Sequence, residues 1–148
     1  WVMLYFDDIA IGQSFVSPSY ALDEDHIIRF AKEYDPQPFH AEPDAAKDTF
    51  FKGHVASGWN TAAVTMRLMT QAGMNIAGGM IGLGIDNMRW PRPTYPGDCL
   101  QVTITVKTKR LSKSRPGFGV VSVDIVTRNQ NDDIAQEMHT HMWVPQRP

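Results

Sequence analysis

SGWNTAAVTMRLMTQA, residues 57–72, is the stretch on which the fold turns. Trp59, Ala62, Ala63, Met66, Met69 and Ala72 recur at helical spacing and make a stripe of large and small apolar side chains. The small members leave room for a sheet to come close, so this stripe is the expected buried face. Gly73, Gly78 and Gly79 end the helix and lead into a turn. Downstream the period changes from helix to strand. A run from about Met80 to Trp90 stops at Pro91-Arg92-Pro93, and Pro96-Gly97-Asp98 turns the chain into the next strand. Val102, Ile104 and Val106 alternate with Thr103, Thr105 and Lys107, the pattern of a half-buried strand. Val121, Val123 and Ile125 alternate again, after a hairpin loop over residues 110–119. A turn over 129–133 leads to a last strand from Ile134 to Val144, with Ile134, Met138, Met142 and Val144 on one face.

Upstream of residue 57 the first third is mixed and loop-rich. Asp23 is placed to cap a helix whose apolar face is Ile27, Phe30, Ala31 and Tyr34. That helix must stop near Tyr34, because Pro36 disfavours helical geometry at Asp35 and Pro38 does the same to Gln37. A short helix is expected within residues 42–51, around Asp44 to Lys47, and Gly53 breaks it. Helices come first and antiparallel strands second. Such segregation gives an α+β class with one antiparallel sheet wrapped around one long helix.

The composition narrows the functional classes. The 148 residues suffice for one domain, expected to span 1–148, with one core. Hydrophobic residues are 43% and charged residues 20%, as in ordinary globular proteins. A net charge of -2 offers no pull toward nucleic acid or membrane, and neither partner is expected. The octet Trp1 to Asp8 lacks a basic region followed by an apolar stretch, so it does not read as a signal peptide. One cysteine, Cys99, cannot form an intrachain disulfide, which fits a cytoplasmic protein. It reads as a small hydrophobe, with nothing nearby to lower its pKa.

Chemistry concentrates in two segments. The first is Asp35-Pro36-Gln37-Pro38-Phe39-His40. Here a carboxylate and an imidazole lie five residues apart on a loop stiffened by two prolines, which lowers the entropy lost in fixing them. Such a pair can grip one water and move its protons. The plainer alternative is a turn in which Asp35 caps backbone N–H groups and His40 lies at the surface. The second segment is Gly53-His54-Val55-Ala56-Ser57-Gly58, just before the apolar helix. A glycine at a helix N-terminus offers bare N–H groups, with the positive end of the dipole behind them, to an oxygen gaining negative charge. Taken alone, an ordinary Ser-Gly helix start is the plainer reading of it.

Taken together, Asp35-Pro-Gln-Pro-Phe-His40, then Gly58 opening a long apolar helix, then Pro96-Gly97-Asp98 before a strand, resemble the MaoC-like dehydratases. That family includes the (R)-specific, or type-2, enoyl-CoA hydratases. The resemblance runs from Tyr5-Phe-Asp-Asp-Ile9 to the last strand. It implies a hotdog fold, usually paired as a dimer, and the hydration of an acyl thioester. It implies that Asp35 and His40 hold the catalytic water and that the Gly58 amide polarises the thioester carbonyl. It also implies no metal or prosthetic group, with coenzyme A or an acyl carrier belonging to the substrate. The expected substrate-binding residues are Gln37, Ser57, Gly58 and Met66. Two of these depart from the pattern. Gln37 replaces the usual asparagine, and Met66 stands where (R)-specific hydratases often carry a serine, which makes the acyl pocket more apolar.

Other candidates are weaker. Glu137, His139 and His141 alternate along the last strand and could ligate a metal, but without an evident fourth ligand they read as an ordinary strand face. His26 and His54 read as surface or loop residues. Lys107, Lys109, Arg110, Lys113 and Arg115, and also Arg89 and Arg92 beside Trp90, could meet coenzyme A phosphates or simply be solvated. Two rivals to the hydratase remain: a hotdog thioesterase, which sends water to the carbonyl carbon, and a non-catalytic acyl-thioester binding subunit.

Overall fold

The computed structural model describes residues 2–148; Trp1, part of the octet read above, lies outside them. A 3-10 turn at Phe6–Asp8 precedes two short strands, β1 (Ser14–Val16) and β2 (Tyr20–Ala21). Then come helices α1 (Glu24–Tyr34), α2 (Pro38–Ala41), α3 (Pro43–Ala46) and α4 (Gly58–Met69). Four long strands follow: β3 (Ile81–Arg89), β4 (Cys99–Leu111), β5 (Phe118–Arg128) and β6 (Ile134–Pro145). They form one antiparallel sheet in the order β1-β4-β5-β6-β3, with β2 also paired to β4. The α+β reading therefore holds. The loop-rich first third was underread, because β1 and β2 are too short to show a period and owe their pairing to β4.

The core forms where the alternating strands meet α4 and α1. Leu100, Val102, Ile104, Val106, Val121 and Val123 are fully buried on the sheet's inner face, with Ile27 of α1 and Leu68 of α4 against them. Burying each such side chain contributes roughly 1.5–3 kcal/mol. The Asp23 cap is as expected, its carboxylate accepting from His26 N–H at 2.8 Å.

α4 is rotated from the expected stripe. Its buried side is Asn60, Thr61, Val64, Thr65, Leu68 and Met69, while Trp59 is 60% and Met66 42% exposed, and Ala63 is exposed too. Hydrophobicity alone misassigned the face, since three buried residues are polar: both threonine hydroxyls and the Asn60 amide nitrogen have partners, while Asn60 Oδ1 has none. Thr65 Oγ1 pairs with Thr127 Oγ1 of β5 at 2.7 Å, Thr61 Oγ1 donates to Thr94 Oγ1 at 3.1 Å, and Asn60 Nδ2 meets His26 Nε2 at 3.1 Å. A threonine so satisfied packs its methyl as valine does.

β3 lies at the sheet edge, and Ile81, Leu83 and Ile85 are exposed along it. Its pairing with β6 shifts register between Gly82 and Gly84 and again between Asp86 and Arg89, with Asn87 at φ 56°. Bulges of this kind re-aim the chain, and the second turns it just before Trp90.

Candidate active site

Asp35 and His40 do not share a loop as expected. Asp35 is the C-cap of α1, its N–H bonded to Ala31 O, and His40 sits on the single turn of α2 that Pro38 starts. Proline suits a first helical position, because its missing N–H has no partner to lose there. The turn folds His40 back toward Asp35, and its Nε2 stands 3.4 Å from Asp35 Oδ2. His40 is buried, so the surface-turn alternative falls away.

The segment before α4 builds the other half. Val55 N–H donates to Phe39 O at 3.1 Å, and His40 Nδ1 meets Val55 O at 2.8 Å. A carbonyl only accepts, so Nδ1 carries a proton and, in the neutral ring, Nε2 faces Asp35 as an acceptor. His54, read as a loop residue, braces the same turn: its Nε2–H donates to His40 O at 2.6 Å.

Both oxygens of Asp35 receive a donor. Gln37 Nε2 donates to Oδ1 at 2.6 Å and Ser57 Oγ–H to Oδ2 at 2.7 Å. Burial pushes the Asp35 pKa up, but these two hydrogen bonds and the nearby His40 together outweigh it and hold the carboxyl below its usual range. The extra methylene of Gln37 thus carries its amide to the carboxylate. Ser57 works twice, because its oxygen also accepts from Trp59 N–H at 3.2 Å as the N-cap of α4.

These groups share one cleft of about 570 Å³. Asp35, Gln37, His40, Ser57 and Gly58 all line it; Met66 does not. Met66 lies two turns along α4, in a separate groove of about 430 Å³ beside Met69, Met80, Met138 and Met142. The structure therefore brings five of the six expected site residues together. The cleft also holds residues that the sequence reading gave no site role: Phe39, Phe51, Thr61, Trp90 and Thr94. Trp90 before Pro91-Arg92-Pro93 was the one legible signal, an aromatic where a strand is forced to end.

Gly58 has a reason to be glycine. A Cβ there would stand 2.7 Å from Cδ2 and Cε2 of Trp90, since the indole covers its backbone. Gly58 is the first residue of α4, where an N–H has no acceptor within the helix and the helix dipole favours negative charge.

The remaining candidates lie elsewhere. His141 is held between Ser122 Oγ and Asp86 Oδ2, both at 2.7 Å, and His139 pairs with Asp124 at 2.6 Å. Among the described residues no group of three or more side chains is arranged to hold a metal ion. Of the basic residues, Lys109 donates to Phe6 O and Ile9 O, Arg115 stacks on Trp143, and Arg92 alone lines the cleft. His26 is half-buried on α1, not in a loop, and joins Tyr20 OH to Asn60. No helix among the described residues is long and apolar enough to cross a membrane.

Comparison with known proteins gives a consistent picture. The model of a family described as MaoC like domain matches residues 8–129. A structure described as the MaoC-like dehydratase from Rhodospirillum rubrum superposes with a TM-score of 0.93 at 42% identity, covering 98% of this chain and 99% of that one. The protein YdeM of Bacillus subtilis (strain 168), described as uncharacterized, is 32% identical over 126 residues, 85% of this chain and 88% of the relative. A conserved hypothetical protein of Mycobacterium tuberculosis, described as having a double hotdog fold, superposes with a TM-score of 0.79 at 19% identity. That match covers 99% of this chain and 45% of that one, and the fold here is a hotdog.

Proposed function

The chain belongs to the MaoC-like dehydratase family, and from that premise we propose that it adds water reversibly across the double bond of a 2-enoyl thioester. Asp35 and His40 hold the water. The observation that carries this reading is the fixed tautomer of His40: with Nδ1–H committed to Val55 O, its Nε2 and the Asp35 carboxylate present two acceptors 3.4 Å apart. Two such acceptors take the hydrogens of one water and leave its lone pair free to attack C3.

Both Asp35 oxygens already accept a donor, from Gln37 and Ser57, whereas His40 Nε2 carries no proton of its own, so the proton of the attacking water passes to His40 Nε2. The imidazolium is then stabilised by Asp35 and Val55 O. It returns the proton to C2, leaving both new bonds on one face of the substrate. The Gly58 N–H receives the thioester oxygen as the enolate forms. Dehydration runs through the same groups in reverse. The reaction needs no metal or prosthetic group; coenzyme A or an acyl carrier arrives as part of the substrate.

The working unit is a homodimer or an assembly of dimers in the cytoplasm. The exposed β3 edge with Ile81, Leu83 and Ile85, next to the outward apolar face of α4, supports pairing. Met66 belongs to that face and would reach acyl groups only from there.

The test follows the conjugated-enoyl absorbance of crotonyl-CoA. Asp35→Asn and His40→Gln should each lower hydration by roughly 10²–10⁴-fold. The double variant should be little worse than the poorer single one, because both act on one water. Near-normal hydration in both single variants would remove the pair from the site. Free thiol released from a saturated acyl-CoA by the wild type would move the protein to the thioesterases. Binding of acyl-CoA with neither reaction would leave a binding subunit.

A further inference from the structure

Trp90 is held more firmly than its 41% exposure suggests. It is the first residue beyond β3, placed by the register break and followed by Pro91 and Pro93. Its Nε1–H donates at 2.8 Å to Oε1 of Gln136, a fully buried side chain on β6. Trp59 meets its ring edge-on, with centroids 5.5 Å apart and planes at 78°. The indole face lies over the Gly58 backbone, leaving no room there for a Cβ. Swinging the ring away would strand the Gln136 oxygen without its donor and break the aromatic pair, so Trp90 is a fixed wall and not a mobile lid.

We propose that Trp90 is a specificity-determining residue that limits the cleft to short acyl groups. The inference rests on the thioester reading above. With the thioester oxygen at Gly58 and the reacting carbons against Asp35 and His40, the aromatic side chains lining the same cleft are the apolar surface it offers to the acyl group beyond C3. Phe39 and Phe51 bound the same cleft, packed edge-to-face at 5.2 Å. A chain that outgrows this space meets an indole that cannot yield. In an apolar pocket, a single methylene of misfit discriminates by about tenfold or more.

Two series of coenzyme A thioesters test this: enoyl substrates of four to ten carbons for kcat/KM, and the matching saturated acyl-CoAs for binding by calorimetry. For the wild type both should fall steeply with length. Trp90→Ala should raise the long-to-short ratio by tenfold or more, and Trp90→Phe should raise it less. An unchanged length ratio in folded Trp90→Ala would overturn the proposal, as would a uniform loss at all lengths. If Trp90→Ala does not fold, an unchanged ratio in Trp90→Phe overturns it instead. If the wild type hydrates no enoyl thioester, the proposed function fails by itself. The saturated series then decides on Trp90, because it reads the pocket without the chemistry.

Discussion

Asp35 illustrates how a residue's role depends on what touches it. The Gln37 amide and the Ser57 hydroxyl each stabilise its charged form, so removing either donor must raise its pKa. Gln37 is exposed and its side chain caps no helix, so Gln37→Leu should leave the fold intact and is the cleaner variant. A carboxylate that must stay ionised to hold the water and the imidazolium loses activity as pH falls through its pKa. The acid limb of kcat/KM against pH should therefore move upward in Gln37→Leu, and a limb that stays in place would mean Asp35 does not control it. The same lowered pKa makes Asp35 a stabilising group above its unfolded pKa, with that contribution lost as pH falls through the folded value. At Gly58 the structure changes what a substitution reports. Gly58→Val would strike the Trp90 ring whether or not an oxyanion sits nearby, so its loss of turnover alone does not identify the Gly58 N–H as a donor.

At the scale of elements, α4 is anchored to the sheet through polar pairs as well as hydrocarbon. Thr65 and Thr127 are both fully buried and have each other as partners, joining α4 to β5. Thr65→Val leaves Thr127 without its partner and should cost about 1–3 kcal/mol. The double change Thr65→Val, Thr127→Val removes both hydroxyls at similar volume and should recover much of that loss. Urea unfolding of the three variants measures the difference; additive losses would show that the pair is not coupled. Ser57 joins element to site, since it caps α4 and holds Asp35. Ser57→Ala should lower stability by about 1 kcal/mol through the lost cap and reduce turnover as well. Thermal melts and kinetics on one preparation separate the two effects.

For the whole molecule, the open β3 edge and the outward side of α4 form one unfinished apolar surface. Trp59 and Met66 on the helix, with Leu83 and Ile85 on the edge strand, expose large side chains that a second copy would cover. Sedimentation at micromolar concentration should give a dimer or a multiple of it. Leu83→Lys, at an edge where lysine opposes strand pairing, should shift the protein toward monomer without unfolding it. A wild-type monomer would end this expectation.

Legible in the chain alone were the α+β class, the four long strands, the α1 and α4 boundaries to within a few residues, and six site residues, of which Asp35, Gln37, His40, Ser57 and Gly58 share one cleft and Met66 does not. These features are local. Alternation, prolines, caps and a short Asp–His spacing leave their mark within a few residues of chain. Tertiary structure alone decided which face of α4 is buried, because Thr61 and Thr65 are acceptable inside only once Thr94 and Thr127 arrive from distant segments. It also decided that His40 presents Nε2 to Asp35, since that depends on Val55 O fifteen residues away. Trp90 became a wall of the site only through Gln136, forty-six residues on. Hydrophobic periodicity records which side chains avoid water, but not which buried polar atoms have found each other.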